Sequence, residues 1–400
     1  MGSDLTTAAF IYKHNYNDDQ VRDLTTRDHV WYAMIERQDV FTGLDMPYVV
    51  RSGNPQGISG TFARAQANAA SSKGLQFAAT RQPKFSVIVI DLEALRAARD
   101  RKGAFFDLIT METDAVLIEH GDSLAFDFYR DKSGVRGRRA SISGNVVTLT
   151  IADDARNFKE GMVVGASTGA DGTTGARTGT TSVTAIDEIS GTVTLSNAAS
   201  ITSFADNDYL FRDGDPGTCI EGMEVCTPLT APTAGDSFRG KDRSSNVTRY
   251  AGSRVNDTNT SLEENLGLCA TYIARAGRSH QVDMAFCNPV RFWEAARRMN
   301  AKVEFDTGGG TANYGFQYIM IHTPAGVVKL YSDPDCPTNR GRLTRSGSQV
   351  LRTLGAYPGI VSDDGLSSLR QASAMALEAR GVSWGNIFQL DPVAQGVVAI

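Results

Sequence analysis

A glycine- and threonine-rich stretch at residues 168–182, TGADGTTGARTGTTS, has the composition of a loop that could bind phosphate. Such a loop presents backbone N–H groups to the anion, and it usually continues with a lysine and the first turn of a helix. From residue 181 this chain instead continues as TSVTAIDEISGTVTLS, in which apolar and polar residues alternate. That alternation predicts two strands around a turn. We therefore interpret the stretch as an exposed loop between strands.

Asp333 and Asp335, in the segment SDPDCP, could contribute to a metal site. A metal site needs further carboxylates or histidines, and this spacing alone does not supply them. A rigid turn with two prolines is the favoured interpretation. The histidines form no H-x-x-x-H or H-E-x-x-H pair, and we expect each of them to be exposed or hydrogen-bonded. They are His14, His29, His120, His280 and His322.

The motifs of hydrolases and nucleotide-binding enzymes are missing from the sequence. No G-x-S-x-G motif precedes a helix, and FRGKDRSS at 238–245 has Asp where a phosphate-binding loop needs Ser or Thr. A basic run, Arg136, Arg138 and Arg139, is expected in a solvated turn, with a contact to phosphate or to a neighbouring subunit as the alternative. The sequence predicts no catalytic residue, no cofactor and no metal site.

The composition is that of a globular protein of 400 residues, with 41% hydrophobic and 21% charged residues. A formal net charge of −5 argues against broad, sequence-independent DNA binding. No apolar run approaches the roughly 20 residues of a membrane span. The five cysteines are scattered and never spaced C-x-x-C, so we expect free thiols in a soluble protein.

The N-terminal half of the chain contains extended elements. Residues 1–46 predict an N-terminal arm with one short helix near 25–38. Residues 47–90 predict an extended loop between two pairing strands, PYVV and FSVIVI. Residues 91–140 contain AFFDLITMETDAVLIEHGDSLAFDFYRD, which predicts a helix about 40 Å long. Its apolar stripe contains Ile109, Val116, Leu124 and Phe128, and its acidic residues lie largely off that stripe.

The pattern changes to period two at residues 141–213, which predict a small all-β domain that includes the glycine-rich loop. Residues 214–365 alternate helix and strand patterns, and 366–400 close the chain with further strands. Arms and extended loops cannot be stabilised by their own chain alone. This organisation therefore predicts partners, and copies of the same chain would let many modest contacts add up.

The order of these parts resembles the major capsid proteins of tailed bacteriophages, which have the Hong Kong 97-type fold. TFARAQANAASSKGLQFAATRQPKFSVIVIDLEAL is similar to the extended loop of that family, and the 104–131 segment to its long spine helix. The remaining similar segments belong to its axial and peripheral domains: GDPGTCIEGMEVC, VDMAFCNPVRFWEAAR, VVKLYSDPDCPTNRGRL and LSSLRQASAMALEARGVSW. The resemblance covers most of residues 47–390. The all-β unit at 141–213 departs from the simplest members and resembles an insertion domain.

The resemblance implies an α+β fold with an arm (1–46), an extended loop (47–90), a peripheral domain (91–140 and 366–400) and an axial domain (214–365). It implies a non-enzymatic protein that forms the hexamers and pentamers of an icosahedral shell around double-stranded DNA, contacted non-specifically. Implied partners are a scaffolding protein, a portal and a decoration protein, with no membrane. The implied location is the virion, with assembly in the host cytoplasm.

Seven basic residues are the candidates for contacts between subunits, and two of them, Lys73 and Lys84, lie where some family members crosslink a lysine to a neighbour's asparagine. Two other classes of protein stay open. A β-rich tail component would lack a continuous helix at 103–130, and an enzyme with an unrecognised site would carry a bound metal or cofactor. The seven candidates are Arg64, Lys73, Arg81, Lys84, Arg136, Arg138 and Arg139.

Overall fold

The computed structural model describes residues 29–93, 108–299, 318–324, 326–361, 369–371 and 374–400. Its strands form two six-stranded sheets, a closed six-stranded barrel and a two-stranded hairpin. The α-helices are α1 (Val30–Met34), α2 (Phe62–Ala67), α3 (Leu108–Tyr129), α4 (Met223–Cys226), α5 (Val247–Ala251), α6 (Leu262–Ala274) and α7 (Pro289–Arg298).

The strands are numbered in chain order. Those before the barrel are β1 (Glu36–Asp39), β2 (Asp45–Gly53), β3 (Lys73–Thr80) and β4 (Gln82–Asp91). The barrel strands are β5 (Val135–Ser143), β6 (Val146–Leu149), β7 (Val163–Ser167), β8 (Thr181–Asp187), β9 (Thr192–Leu195) and β10 (Tyr209–Arg212). The remaining strands are β11 (Ser253–Val255), β12 (Met284–Cys287), β13 (Tyr318–Thr323), β14 (Gly326–Ser332), β15 (Arg340–Thr344), β16 (Gln349–Thr353), β17 (Gly359–Ile360), β18 (Leu369–Arg370), β19 (Ala376–Gln389) and β20 (Gln395–Ala399).

The extended loop is a hairpin in which β2 pairs antiparallel with β3. The predicted pairing of PYVV with FSVIVI is therefore wrong, because FSVIVI lies in β4, which pairs with β19. The reason lies in the segment KGLQFAAT. Its alternating Phe77 and Ala79 side chains are buried, which is enough to form a strand in a segment otherwise poor in large apolar residues.

The long helix α3 has 22 described residues and is about 33 Å long at 1.5 Å per residue. The predicted start near residue 104 lies outside the described residues. The helix packs against β4 and β19 of a mixed sheet formed by β1, β4, β16, β17, β18 and β19, which we call the β19 sheet. The predicted stripe residues Leu124 and Phe128 are fully buried, but the acidic Asp127 is buried as well. The acidic residues of this helix therefore do not all face solvent: Asp114 is exposed, whereas Asp122 and Asp127 are buried.

A second sheet has the order β11-β20-β15-β12-β14-β13 and is called the β12 sheet. All four residues of β12 are buried because both faces of the sheet are covered. Ala285 and Cys287 pack toward α6 and α7, whereas Met284 and Phe286 pack against Trp31 and the end of α3. Asn288 then caps α7 by accepting a hydrogen bond from the N–H of Val290, and Pro289 occupies the first turn.

The all-β unit is a closed barrel with the order β10-β5-β6-β9-β8-β7 around its own apolar core. Its first strand begins at Val135, six residues before the predicted boundary. The glycine-rich stretch connects β7 to β8, as predicted. Its Arg177 donates two hydrogen bonds to Asp208, of 2.9 and 3.0 Å, which fixes the loop to the barrel.

Gly179 in this loop has φ +93°, and a Cβ there would lie 2.0 Å from the carbonyl oxygen of Ser200. We therefore expect Gly179→Ala to lower the free energy of unfolding by about 2–3 kcal/mol, from backbone strain plus the clash. Gly144→Ala is the matched control, because Gly144 has φ +60° but open space around it. It should cost only about 1 kcal/mol. Urea unfolding of the two variants measures the difference, and equal losses would contradict the prediction.

The predicted domain limits stay a prediction, but two segments, the arm and the closing strands, differ from them in detail. Residues 1–28 of the predicted arm lie outside the described residues, whereas Trp31 and Phe41 are buried in the body. The region of the predicted closing strands divides between the two sheets. β19 pairs with β4 and β16, and β20 pairs with β11 and β15 of the β12 sheet.

Candidate functional site

The β2–β3 hairpin extends away from the packed body of the chain. Every residue from 54 to 74 is exposed except Ala65, which is half-buried on α2. Two large apolar side chains near its tip, Ile58 and Phe62, are each 82% exposed, and Val49 on β2 is 70% exposed. Monomeric soluble proteins rarely leave such side chains clustered in water, so the hairpin has the properties of a contact surface.

The hairpin is also basic. Between Met46 and Thr80 the sequence has three basic residues, Arg51, Arg64 and Lys73, and no acidic residue, whereas the whole chain has a net charge of −5. Arg64 lies on α2, and Lys73 begins β3 opposite Gly53. Both of these predicted contact residues are exposed. The hairpin therefore offers positive charge and apolar surface together.

Arg81, the third candidate in this region, lies at the root of the hairpin. Its backbone N–H donates to the carbonyl of Leu44, and its guanidinium donates to the carbonyl of Gly43 at 3.2 Å. The side chain is half-buried. These bonds close the turn where β3 passes into β4, so in the folded subunit Arg81 already has a structural role.

An aromatic cluster anchors the hairpin to the body. Phe77 on β3 lies 5.5 Å from the ring of Tyr48 and 5.5 Å from that of Phe238, and Tyr48 lies 5.5 Å from Phe388 on β19. These ring separations and tilted geometries are favourable for aromatic pairs. Tyr250 adds a hydrogen bond of 2.5 Å between its hydroxyl and Ser52. The root of the hairpin is therefore part of a packed core, whereas its tip is exposed to solvent.

Arg239 lies at the centre of this root. Its guanidinium donates to Glu221 at 2.7 Å, to the hydroxyl of Tyr48 at 2.7 Å and to the carbonyl of Ile387 at 2.6 Å. Burial raises the pKa of Tyr48 to about 12, although the Arg239 charge opposes that shift. The hydroxyl of Tyr48 therefore stays protonated, and the hairpin is fixed to β19 at its base.

Lys84 and Arg136, both predicted to contact other subunits, are used inside the chain. The Lys84 amino group donates to Asp127 of α3 at 2.5 Å and lies 4.0 Å from Asp215. Arg136 on β5 is buried and donates to the carbonyl of Asn157 at 3.0 Å and to Asp215 at 3.4 Å. Burial raises the pKa of Asp127 against the lowering effect of the Lys84 charge. These charges fix the barrel to α3 and β4.

Arg138 and Arg139 are likewise occupied by barrel residues. Arg138 donates to the carbonyl of Asn207 at 3.1 Å and lies over the ring of Tyr209. Arg139 is buried, lies 3.0 Å from Asp206 and covers the ring of Phe204. The prediction of a solvated turn for Arg136, Arg138 and Arg139 is therefore wrong, because all three belong to the first barrel strand, β5. Their contacts with a neighbouring subunit stay a prediction.

The chain is similar in fold to solved structures of two capsids and an encapsulin complex. The chain superposes on the capsid asymmetric unit of cyanophage A-1(L) with a TM-score of 0.56 at 9% identity, covering 96% of each chain. It superposes on the capsid of an empty GTA particle with a TM-score of 0.52 at 8% identity, covering 100% of this chain and 99% of that one. The holo-SrpI encapsulin complex from Synechococcus elongatus PCC 7942 gives a TM-score of 0.50 at 8% identity, covering 99% and 95%.

The chain has the Hong Kong 97-type fold. The predicted fold class, α+β with this architecture, is thereby confirmed. No protein-family model matches the sequence, and no curated protein matches it either. The identity to these three structures is 8–9%, so the likeness lies in the backbone and in the order of its elements.

The chain also contains a cluster of buried charged residues that the sequence did not predict. Asp333, Asp335 and Asp122 of α3 are buried, and Lys159 of the barrel is half-buried. A signal was present in the sequence: α3 has five acidic residues and neither Lys nor Arg. Since buried carboxylates need partners, that imbalance indicates cations elsewhere in the chain.

No metal-binding cluster of His, Cys, Asp or Glu occurs among the residues that the structure describes. Asp333 instead accepts hydrogen bonds from the backbone N–H of Trp31 and the hydroxyl of Tyr129, both of 2.8 Å. Burial and the charge of Asp335 raise the pKa of Asp333 to about 6. Among the described helices of this Hong Kong 97-type chain, none is long and apolar enough to span a membrane.

Proposed function

We propose that the chain is the major capsid protein of a tailed bacteriophage. In this proposal subunits assemble into hexamers and pentamers, and these tile an icosahedral head shell that encloses double-stranded DNA. The observation that carries the proposal is the hairpin at 45–80, which combines exposed apolar side chains, positive charge and a rigid root. The fold adds support, because the solved structures that share it are named as phage and GTA capsids and as an encapsulin complex.

The hairpin of one subunit is proposed to lie over an adjacent subunit. Its basic residues suit the rest of the chain, which carries the excess of acidic residues. A second exposed apolar pair, Phe85 and Val87 on the outer side of β4, offers apolar surface for such contacts. Single surface ion pairs contribute only about 0–1 kcal/mol, so the apolar side chains must supply most of each contact. Repetition around a closed shell multiplies that contribution.

The proposal includes partners and a location that follow from the function. A scaffolding protein, a portal and a decoration protein would join the shell, which would assemble in the host cytoplasm and become part of the virion. The subunit would have no enzymatic activity. Its net charge of −5 suits a container that encloses DNA without binding it tightly.

A tail component is less well supported than a capsid protein. That alternative predicted an interrupted helix at 103–130, whereas Leu108–Tyr129 is one continuous helix. The enzyme alternative required a metal or cofactor site, and the described residues offer no metal cluster. The enzyme alternative also leaves the exposed hairpin unexplained.

Expression of the chain, alone and together with any scaffolding protein encoded beside it, tests the proposal. Electron microscopy and sedimentation velocity should show closed shells or hexameric and pentameric rings in at least one preparation. Folded monomers at high concentration in both preparations would contradict the proposal. Shells that package an enzyme cargo in the natural host, rather than phage DNA, would also contradict it.

A further inference from the structure

His29 lies between two carboxylates that belong to different parts of the fold. Its Nε2 is 2.6 Å from Asp122 of α3, and its Nδ1 is 2.6 Å from Asp335 in the loop after β14. The side chains are 12% exposed for His29 and 8% for each aspartate. Because an ionised carboxylate only accepts hydrogen bonds, both ring nitrogens must donate. The geometry therefore requires the doubly protonated, positively charged imidazolium.

His120 on the same helix shows the opposite arrangement. Its two ring nitrogens each lie 2.9 Å from a serine hydroxyl, Ser86 on one side and Ser383 on the other. A hydroxyl can donate or accept, so the neutral ring satisfies both contacts. Burial and the charges of Lys84 and Arg212 lower the pKa of His120 to about 4. The fold thus contains a buried histidine whose contacts suit the neutral ring and a half-buried histidine whose contacts require the charged ring.

The groups around His29 come from every element that packs on it. Asp122 also accepts from Lys159 of the barrel, which bridges to Glu119, and Glu119 accepts from Arg212 of β10. The backbone N–H of Asp335 donates to Asp333, which accepts from Trp31 and Tyr129. Tyr32 of α1 presents its ring edge to the imidazole. Four parts of the chain meet here: the segment that leads into α1, the helix α3, the barrel and the loop after β14.

We propose that the His29 imidazolium is a fixed positive charge that locks these four parts together across the neutral pH range. Without it, Asp122 and Asp335 would be buried near each other with one cation fewer between them, and the loop after β14 would lose its link to α3. His29 therefore fixes the start of α1 to α3 and to the loop after β14.

The pKa of His29 determines how its contribution to stability changes with pH. Burial would lower it, but hydrogen bonds to Asp122 and Asp335 and their negative charges outweigh burial and raise it from 6.5 to about 10. A group whose pKa is higher in the folded state stabilises most at low pH. The contribution of His29 is complete below pH 6.5 and is lost as the pH rises toward 10. The contacts of His29 with Asp122 and Asp335 therefore weaken at alkaline pH and not in mild acid.

Histidine-selective NMR titration of the full chain tests this proposal, with ring signals assigned from single His→Gln variants. We expect His29 to remain an imidazolium at pH 8.5 and His120 to remain neutral at pH 6. Asp335→Asn should reduce the proton affinity of His29 at least tenfold, a drop of about one pKa unit. Asp391→Asn is the matched control: it removes the carboxylate 2.8 Å from His280 and should leave His29 unchanged.

Denaturant unfolding supplies a second measurement. The unfolding midpoint of the wild type should fall between pH 7 and pH 10 by more than that of His29→Gln, because the variant lacks the titrating group. A neutral His29 ring at pH 8 in the folded wild type would overturn the proposal. The same conclusion would follow if wild type and His29→Gln lost stability in parallel. If His29→Gln does not fold, the NMR titration of His29 in the wild-type protein still tests the proposal.

Discussion

Replacing Ile58 and Phe62 together by aspartate is expected to leave a folded subunit that no longer assembles. Both side chains are 82% exposed, so the subunit's own core loses nothing. In the assembly each side chain would become buried, and burial contributes about 1.5–3 kcal/mol per side chain. The two new carboxylates would also reverse the local positive charge of the hairpin. Because every subunit carries the change, the loss repeats at every contact in the shell.

The measurement is sedimentation velocity with electron microscopy, next to circular dichroism for the folded state. Ile189→Asp is the matched control, since Ile189 is 95% exposed on the turn between β8 and β9 of the barrel. Shells should form in the control and not in the double variant. Normal shells from the double variant would show that the hairpin tip is not a contact. Loss of assembly in the control as well would show that the effect is not specific to the hairpin.

Phe77→Ala is expected to destabilise the subunit by about 3–5 kcal/mol, the usual range for truncating a buried phenylalanine. Phe77 is 1% exposed and packs on Tyr48, Phe238 and Tyr250, which come from three separate segments. The cavity would open between the hairpin and the body. We therefore expect the hairpin to become sensitive to limited proteolysis before the rest of the subunit unfolds.

Urea unfolding and timed proteolysis at 45–80 measure both effects. Val49→Ala is the control on the paired strand, since Val49 is 70% exposed and lies next to the same aromatic cluster in sequence. Surface substitutions of that type usually change stability by less than about 0.5 kcal/mol. A loss below 1 kcal/mol for Phe77→Ala would mean that the hairpin is not anchored through this ring.

Much of the fold could be predicted from local patterns in the sequence. The alternation in TSVTAIDEISGTVTLS predicted two barrel strands, and β8 and β9 pair there. Likewise the alternating helix and strand patterns predicted for residues 214–365 include β12 and α7. These predictions succeeded because periodicity and capping residues act within about ten residues of chain.

The pairing and the ion network could not be predicted in the same way. Whether β4 pairs with β2, as predicted, or with β19 depends on a partner almost 300 residues away, and both choices satisfy its apolar pattern. Asp127 seemed to belong to a polar helix face because an acidic residue is usually solvated. It is buried because Lys84 lies against it, and nothing within one helical turn indicates that partner.

The parallel pair formed by β1 and β16 has a consequence for synthesis of the chain. Glu36–Asp39 lie opposite Val350–Thr353. In α1, just before β1, the backbone N–H of Trp31 donates to Asp333. A ribosome adding about 5–20 residues per second needs about 15–60 s to make the intervening chain. During that time Trp31 and Phe41 lack the neighbours that bury them. The N-terminal part must therefore wait for β16 and its neighbours before it can fold completely.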